Sequence, residues 1–114
     1  MKIEVNAKQV VVYVNSTDQY QGRPLYAAVV QRCQELNISG ATVVRCTEGY
    51  GASRELHTTR LLELSEDLPV RIEIIDLPER IAPLLTALGE MVGEGLVAVS
   101  DVRVLRFLVD PQAS

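Results

Sequence analysis

The spacing of apolar residues along the chain changes six times, and the order of these changes is what most constrains the fold. Alternation at every second residue is typical of strands, and recurrence every three to four residues is typical of amphipathic helices. The predicted elements are, in order, a strand at Gln9–Val14, a helix opened by Pro24 and stopped by Asn37 and Gly40, strands at Ala41–Glu48 and Val70–Ile75, a helix over Ile81–Val92, and a strand at Val97–Val109. This β-α-β-β-α-β order predicts an α+β fold, the ferredoxin-like sandwich.

The first predicted strand, QVVVYV, is apolar on both of its faces. Two helices cover only one face of a four-stranded sheet, so the opposite face of this strand also needs cover. No further segment of the sequence is available for that role, and a large exposed apolar patch marks an interaction surface. We therefore expect a homo-oligomer.

Three local features predict details of these elements. Asp76 and Glu79 have the spacing of a capping box at the start of the second helix. Pro83 lies inside that helix, so either the regular helix begins near it or a kink is tolerated. The alternation of the last strand slips over residues 100–102, which predicts a β-bulge.

Length and composition indicate one folded domain. The 114 residues fit a single domain, 1–114, with a core over about 9–108, and 47% of them are hydrophobic. The net charge of -4 argues against a nucleic-acid partner, and no apolar run is long enough for a membrane helix. Without an apolar signal-peptide core in the first residues, and with Cys33 and Cys46 interpreted as two reduced thiols, we expect a cytoplasmic protein.

About twenty residues, Gly49 to Pro69, separate the second and third predicted strands, where a ferredoxin-like hairpin needs roughly 2–5. Loops of this length are commonly functional. The first part of the segment holds Gly49, Tyr50, Gly51, Ser53, Arg54 and His57. We expect function to concentrate here.

Several runs of residues resemble the PII-like family called domain of unknown function 190. They are Gly22-Arg23-Pro24-Leu25-Tyr26, Gly40-Ala41-Thr42-Val43-Val44-Arg45, Glu48-Gly49-Tyr50-Gly51-Ala52-Ser53, His57-Thr58, Leu64-Ser65-Glu66-Asp67-Leu68-Pro69-Val70 and Asp101-Val102-Arg103. The resemblance spans about residues 9–108. It implies the fold of the PII signalling proteins, which are ferredoxin-like trimers with a long loop between the second and third strands.

PII proteins bind adenine nucleotides in clefts between subunits and use the long loop to contact transporters or enzymes. The resemblance therefore implies a homotrimer, a small-molecule effector such as ATP, ADP or AMP, no resident cofactor, and a membrane transporter or enzyme that contacts loop 49–69. Gly93-Glu94-Gly95 resembles the PII phosphate loop, although Leu96 stands where PII proteins have a lysine. Arg106 matches the first arginine of a C-terminal pair, and Leu108 replaces the second.

The candidate nucleotide- or anion-binding residues are Gly49, Tyr50, Gly51, Ser53, Arg54, His57, Gly93, Gly95, Arg103 and Arg106. Glycines allow N–H groups to converge on an anion, and the planar arginine side chain suits bidentate phosphate contacts. Each feature also has a plainer interpretation. The glycines fit a simple turn, the arginines fit ordinary ion pairs, and His57 fits a structural hydrogen bond.

Three functions remain open on the sequence. The first is a PII-like sensor that binds an adenine nucleotide or small anion between subunits and signals through its loop. The second is a trimeric divalent-cation-binding protein of the copper-tolerance type, although no metal-ligand spacing is present. The third is an enzyme that uses His57, although no catalytic constellation is evident and we expect no catalytic residue. An RNA-binding role is disfavoured by the acidic balance and by the five aromatic residues, four Tyr and one Phe.

Overall fold

The computed structural model of the protein describes residues 1–46, 48–49, 57–58 and 68–109. Its elements are β1 (Lys2–Asn15), β2 (Gln19–Tyr20), β3 (Arg23–Pro24), α1 (Leu25–Glu35), β4 (Ala41–Arg45), β5 (Glu48–Gly49), β6 (His57–Thr58), β7 (Pro69–Asp76), α2 (Pro78–Met91) and β8 (Leu96–Phe107). Neither helix of the described residues is long and apolar enough to cross a membrane.

Four strands form an antiparallel sheet in the order β4-β7-β1-β8, with β1 and β7 in the middle. Antiparallel order together with one helix after β1 and one after β7 is the ferredoxin-like arrangement, so the predicted fold class is confirmed. The remaining strands are short pairs, β2 with β3 and β5 with β6.

The core lies between the sheet and the two helices. Val10, Val12 and Val14 of β1 face the helices because strand side chains alternate, and none is more than 4% exposed. The rest of the core is Leu25, Ala28, Val29, Cys33, Val70, Ile72, Ile74, Ile81, Leu84, Ala87, Leu88 and Met91. The other face of the sheet, which we call the open face, has no helix of the described residues against it.

Strand β1 is longer than predicted, because it begins at Lys2 rather than at Gln9. Only residues from Lys8 onward pair with β7, whereas the pairing with β8 runs from Lys2 to Tyr13. Residues 2–7 and 102–107 therefore form a two-stranded extension, which we call the ribbon. Six residues of strand reach about 20 Å beyond the sheet.

The predicted bulge over residues 100–102 is wrong. Each residue of β8 in that stretch has one partner on β1, and the register stays constant from Leu96 to Phe107. The alternation slips because Asp101 lies beside Lys8, with Nζ and Oδ1 2.6 Å apart. A polar cross-strand pair takes the place of an apolar one, and no residue is added.

Helix α1 ends as its stop signals predict. Asn37 adopts a left-handed conformation with φ +59°, and its N–H donates to the carbonyl of Gln34. The N–H of Ile38 donates to the carbonyl of Cys33. These two bonds are a Schellman motif, which satisfies carbonyls that the last turn leaves without partners.

The predicted capping box at the start of α2 is wrong. The N-cap is Leu77, Pro78 begins the helix, and no side chain caps it. Asp76 Oδ1 accepts a bond from the N–H of Leu77, while Oδ2 accepts bonds from the N–H of Ser39 at 2.8 Å and from its hydroxyl at 3.2 Å. Asp76 thus ties the α1–β4 connection to the start of α2. The helix continues through Pro83, whose ring is exposed.

Burial by itself raises the pKa of Asp76, but the backbone bonds from Ser39 and Leu77, the Ser39 hydroxyl and the charge of Arg80 together lower it below its ordinary value of 3.8. The unfolded chain therefore binds a proton at a higher pH than the folded chain does. This contribution to stability is present above the ordinary pKa and is lost as the pH falls toward the lowered one.

We expect Asp76→Asn to lower the free energy of unfolding at pH 7 by about 1.5–3 kcal/mol, because bonds to a charged group are lost. Its stability should also fall less steeply than that of the wild type below pH 4. Urea titrations at several pH values measure both effects. Glu79→Gln, in the exposed first turn of α2, is the control, and equal pH slopes for Asp76→Asn and wild type would contradict the assignment.

The two thiols should differ in reactivity. Both cysteines are free, and burial raises the pKa of the Cys33 thiol to about 11, whereas Cys46 is half-buried. Because the thiolate is the reactive form, a thiol reagent at pH 8 should label one cysteine quickly in the folded chain and two in urea. Mass mapping should find the fast label on Cys46, and fast labelling of Cys33 would contradict the burial.

Candidate functional site

The long segment between β4 and β7 leaves and re-enters the sheet at one end, which we call the loop end. There the last residues of β1 and β4 meet the first residues of β7 and β8, since neighbouring strands are antiparallel. The turn Gly93–Gly95 lies at the same end, because it precedes β8. Two of the sequence-predicted groups, the Gly93–Gly95 turn and the base of the loop, are therefore on one side of the molecule.

The base of the loop is held by short hydrogen bonds. The N–H of Cys46 donates to the carbonyl of Pro69 at 3.0 Å. The N–H of Ser16 donates to the carbonyl of Leu68 at 2.7 Å, and the N–H of Leu68 donates back to the Ser16 hydroxyl at 3.0 Å. Both ends of the segment are thus fastened to the sheet and to the turn after β1.

Gly95 is required by close packing against β1. A Cβ at this position would lie 2.8 Å from the backbone carbonyl oxygen of Tyr13 and 3.3 Å from a methyl of Val14. Gly93 has nothing within 4 Å of such a Cβ. The two glycines of the turn therefore differ: Gly95 lets the chain enter β8, and Gly93 leaves open space in front of the turn.

Within the long segment the structure describes one strand pair. Glu48 lies opposite Thr58, and Gly49 lies opposite His57. Two predicted site residues are therefore backbone partners in a short antiparallel strand pair. The other predicted site residues of this segment, Tyr50, Gly51, Ser53 and Arg54, lie outside the described residues.

The two predicted arginines of β8 lie on the ribbon, far from the loop end. Arg103 pairs with Glu4 on the neighbouring strand, with 3.0 Å between Nε and Oε1, and both side chains remain largely exposed. Arg106 lies opposite Ile3, is exposed, and has no ion pair within residues 1–46 and 68–109.

Distance along β8 separates these groups within one chain. From Gly95, Arg103 lies eight residues away, or about 26 Å, and Arg106 lies eleven residues away, or about 36 Å, at roughly 3.3 Å per residue. One small ligand cannot touch both ends. A site that uses the Gly93–Gly95 turn and these arginines together requires two chains.

A cleft of about 160 Å³ opens among the β2–β3 hairpin, α1 and Met91 at the end of α2. Its two arginines already have partners. Arg23 donates to the side-chain oxygen of Gln31, and Arg32 lies 3.6 Å from Glu35. Within the described residues, no group of three or more His, Cys, Asp or Glu is placed to hold a metal ion.

Sequence reasoning missed the ribbon and the pair formed by Arg71 and Glu73 on the open face. The alternation of Ile3, Val5 and Ala7 with polar residues was the available signal for the ribbon, but the charges among them concealed it. In the sequence, Arg71 and Glu73 are only the polar residues that alternate with the apolar ones of the strand Val70–Ile75. Their direct contact, with Nη2 and Oε1 2.6 Å apart, depends on side-chain conformation.

Comparison with known proteins gives one family and one fold. Residues 7–104 match the family model DUF190, described as uncharacterized ACR. A UPF0166 protein of Aquifex aeolicus (strain VF5) is 34% identical over 103 residues, which cover 89% of this chain and 95% of that protein.

Two solved structures have a similar fold. CPII, a nitrogen regulatory PII-like protein from Thiomonas intermedia K12 bound to ADP, AMP and bicarbonate, has a TM-score of 0.69 and 17% identity, covering 90% of this chain and 91% of that one. A putative PII-like signaling protein from Thermus thermophilus has a TM-score of 0.62 and 20% identity, covering 90% of this chain and 91% of that one. The chain therefore has a PII-like fold.

The steric difference between the two glycines of the turn is testable. Gly95→Ala should lower the free energy of unfolding by about 1–3 kcal/mol, because its methyl would overlap the fixed carbonyl of Tyr13. Gly93→Ala, the matched control, should change stability by less than about 0.5 kcal/mol. Thermal and urea unfolding measure the stability of both variants, and equal losses of stability would contradict the close packing of Gly95 against Tyr13.

Proposed function

The chain belongs to the DUF190 family, and we propose that it is a PII-like regulatory protein of a single domain, 1–114. In this proposal it assembles as a homotrimer and binds an adenine nucleotide or small anion between subunits. The long segment 49–69 then contacts a partner protein, either a membrane transporter or an enzyme. The solved PII-like protein that is bound to ADP, AMP and bicarbonate supports the ligand class.

The observation that carries the proposal is that the Gly93–Gly95 turn and the ribbon arginines lie at opposite ends of β8, so that only two different chains can bring them to one ligand. Backbone N–H groups around Gly93 can approach phosphate oxygens, and an arginine supplies charge-assisted bonds. The two lie at opposite ends of β8, so a ribbon that extends from one protomer toward the loop end of the next would bring them together. The segment that leaves the sheet at that loop end contains, in its sequence, the candidate residues Gly49, Tyr50, Gly51, Ser53, Arg54 and His57.

The edges of the sheet support contact between protomers. Val43 on β4 and Val99 on β8 are both exposed apolar residues on edge strands. The open face adds exposed Tyr13, Val44 and Leu96. Apolar edges and an apolar face on one chain are what a cyclic assembly buries.

The proposal assigns no catalytic residue and no resident cofactor. We assign His57 a ligand contact rather than a catalytic role, because its sequence spacing implies no acid, nucleophile or orienting group. We place the protein in the cytoplasm, where its two free thiols stay reduced. Nucleic acid is not a proposed partner, because the chain carries a net charge of -4.

Calorimetry with ATP, ADP and AMP tests the ligand class, and light scattering tests the trimer. Arg106→Ala should weaken nucleotide binding at least about tenfold, because a charged hydrogen bond contributes roughly 1.5–3 kcal/mol. The control Arg32→Ala removes a half-buried helix arginine that lies outside the proposed site, and it should bind like wild type. A wild type that binds none of the three nucleotides would contradict the nucleotide proposal, and an Arg106→Ala variant of equal affinity would contradict the role assigned to Arg106.

A mixing experiment tests whether the site is shared between chains. Gly93→Asp places an acid at the turn without a steric clash, so it should repel phosphate. Co-refolded with Arg106→Ala, it should form mixed trimers in which some sites combine an intact turn with an intact arginine, and these should bind nucleotide. No recovery of binding in verified mixed trimers would contradict a shared site.

A further inference from the structure

The open face carries one charged pair among apolar and small neighbours. Cross-strand partners in an antiparallel sheet point to the same face, so Arg71 shares this face with Tyr13 on β1 and Val44 on β4. By the same alternation Glu73 lies between Val11 and Thr42. The pair therefore occupies the middle of the surface that no described element covers.

The geometry of the pair leaves bonding capacity unused. Arg71 Nη2 contacts Glu73 Oε1 at 2.6 Å, and the side chains are 37% and 34% exposed. Arg71 Nε is buried and has no hydrogen-bond partner within the described residues. The buried Nε is out of reach of a neighbouring chain, but the Nη groups of an arginine carry further donors and a carboxylate accepts at about four positions, so both groups can bind further partners.

Covering this face would remove water from the pair. Burying an ion pair is unfavourable unless its remaining donors and acceptors find partners. A second copy of the chain brings an arginine and a glutamate of its own, and a pair with both signs is complementary to itself. A partner with an apolar surface alone would leave Arg71 and Glu73 without these bonds.

We propose that Arg71 and Glu73 form the polar centre of the surface through which copies of this chain assemble. Each Arg71 pairs with Glu73 of its own chain and with Glu73 of a neighbour. In the homotrimer proposed above, on which this inference rests, the three pairs close a neutral ring of alternating charges. The surrounding Val11, Tyr13 and Val44 exclude water from the ring.

Single charge reversals test the ring. Arg71→Glu and Glu73→Arg should each raise the protein concentration at which half of the trimer dissociates by at least about tenfold, because a buried charge loses its partner. Analytical ultracentrifugation measures the dissociation, and circular dichroism verifies that the monomer is folded. If either reversal does not fold, Arg71→Met, which keeps an unbranched apolar stem and removes the guanidinium, replaces it with the same expected direction.

Lys8→Glu is the matched control. Lys8 is as exposed as Arg71 and lies 2.6 Å from Asp101, but it lies on the helix side of the sheet. Its reversal should leave the dissociation concentration unchanged. If Lys8→Glu raised the dissociation concentration as much as Arg71→Glu does, the net charge of the chain rather than the open face would control assembly, and the inference would be overturned.

Two combinations separate contacts between chains from the contact within one chain. The double variant Arg71→Glu with Glu73→Arg should assemble like wild type, because both contacts are restored. An equimolar mixture of the two single variants should yield mixed trimers in native mass spectrometry, since one chain carries two acids and the other two bases.

The failures are distinguishable. The inference would be overturned if the wild type is a trimer and the single variants dissociate at the same protein concentration as the wild type. It would also be overturned if the two single variants form no mixed trimers. Either result would leave the nucleotide proposal intact. A monomeric wild type would overturn the trimer and the ring together, whereas absence of nucleotide binding by an intact trimer would overturn the ligand proposal alone.

Discussion

The pairing of β1 with β8 is the constraint on which the rest of the structure depends. Twelve consecutive residue pairs, from Lys2–Phe107 to Tyr13–Leu96, share one register. A slip of one residue would turn Val10 and Val12 away from the helices and expose them, so the buried core holds the register. The same register decides which side chains lie on the open face, and it extends the ribbon beyond the sheet.

The elements that bury an apolar face could be predicted from the sequence, because burial of one face imposes a regular spacing on the apolar residues. The alternation of Val70, Ile72 and Ile74 and the stop signal at Asn37 are both observed. The ribbon could not be predicted in this way, since residues outside the core keep their charges. Asp76 was misassigned because its partner Ser39 is 37 residues away, and local spacing carries no information about such a contact.

For the candidate site, the sequence identified residue types but not distances. Gly95 was selected as a phosphate contact, and its packing against the carbonyl of Tyr13 is visible only in three dimensions. Arg103 was selected as a phosphate ligand, and it already pairs with Glu4. A site that uses both the Gly93–Gly95 turn and the arginines of β8 therefore requires a second chain, because the two groups are far apart along the strand.

A site divided between chains links ligand binding to assembly. A nucleotide that contacts the turn of one protomer and the ribbon of the next binds only the assembled form, so at 100 times its dissociation constant it adds about 2.7 kcal/mol per site to assembly. The ion pair of Arg103 with Glu4 does not prevent this. An exposed pair of that kind contributes at most about 1 kcal/mol, whereas a charge-assisted bond to phosphate contributes roughly 1.5–3 kcal/mol. In the proposed site, the phosphate would therefore displace Glu4 from Arg103, and the ribbon would exchange a contact within one chain for a contact between subunits.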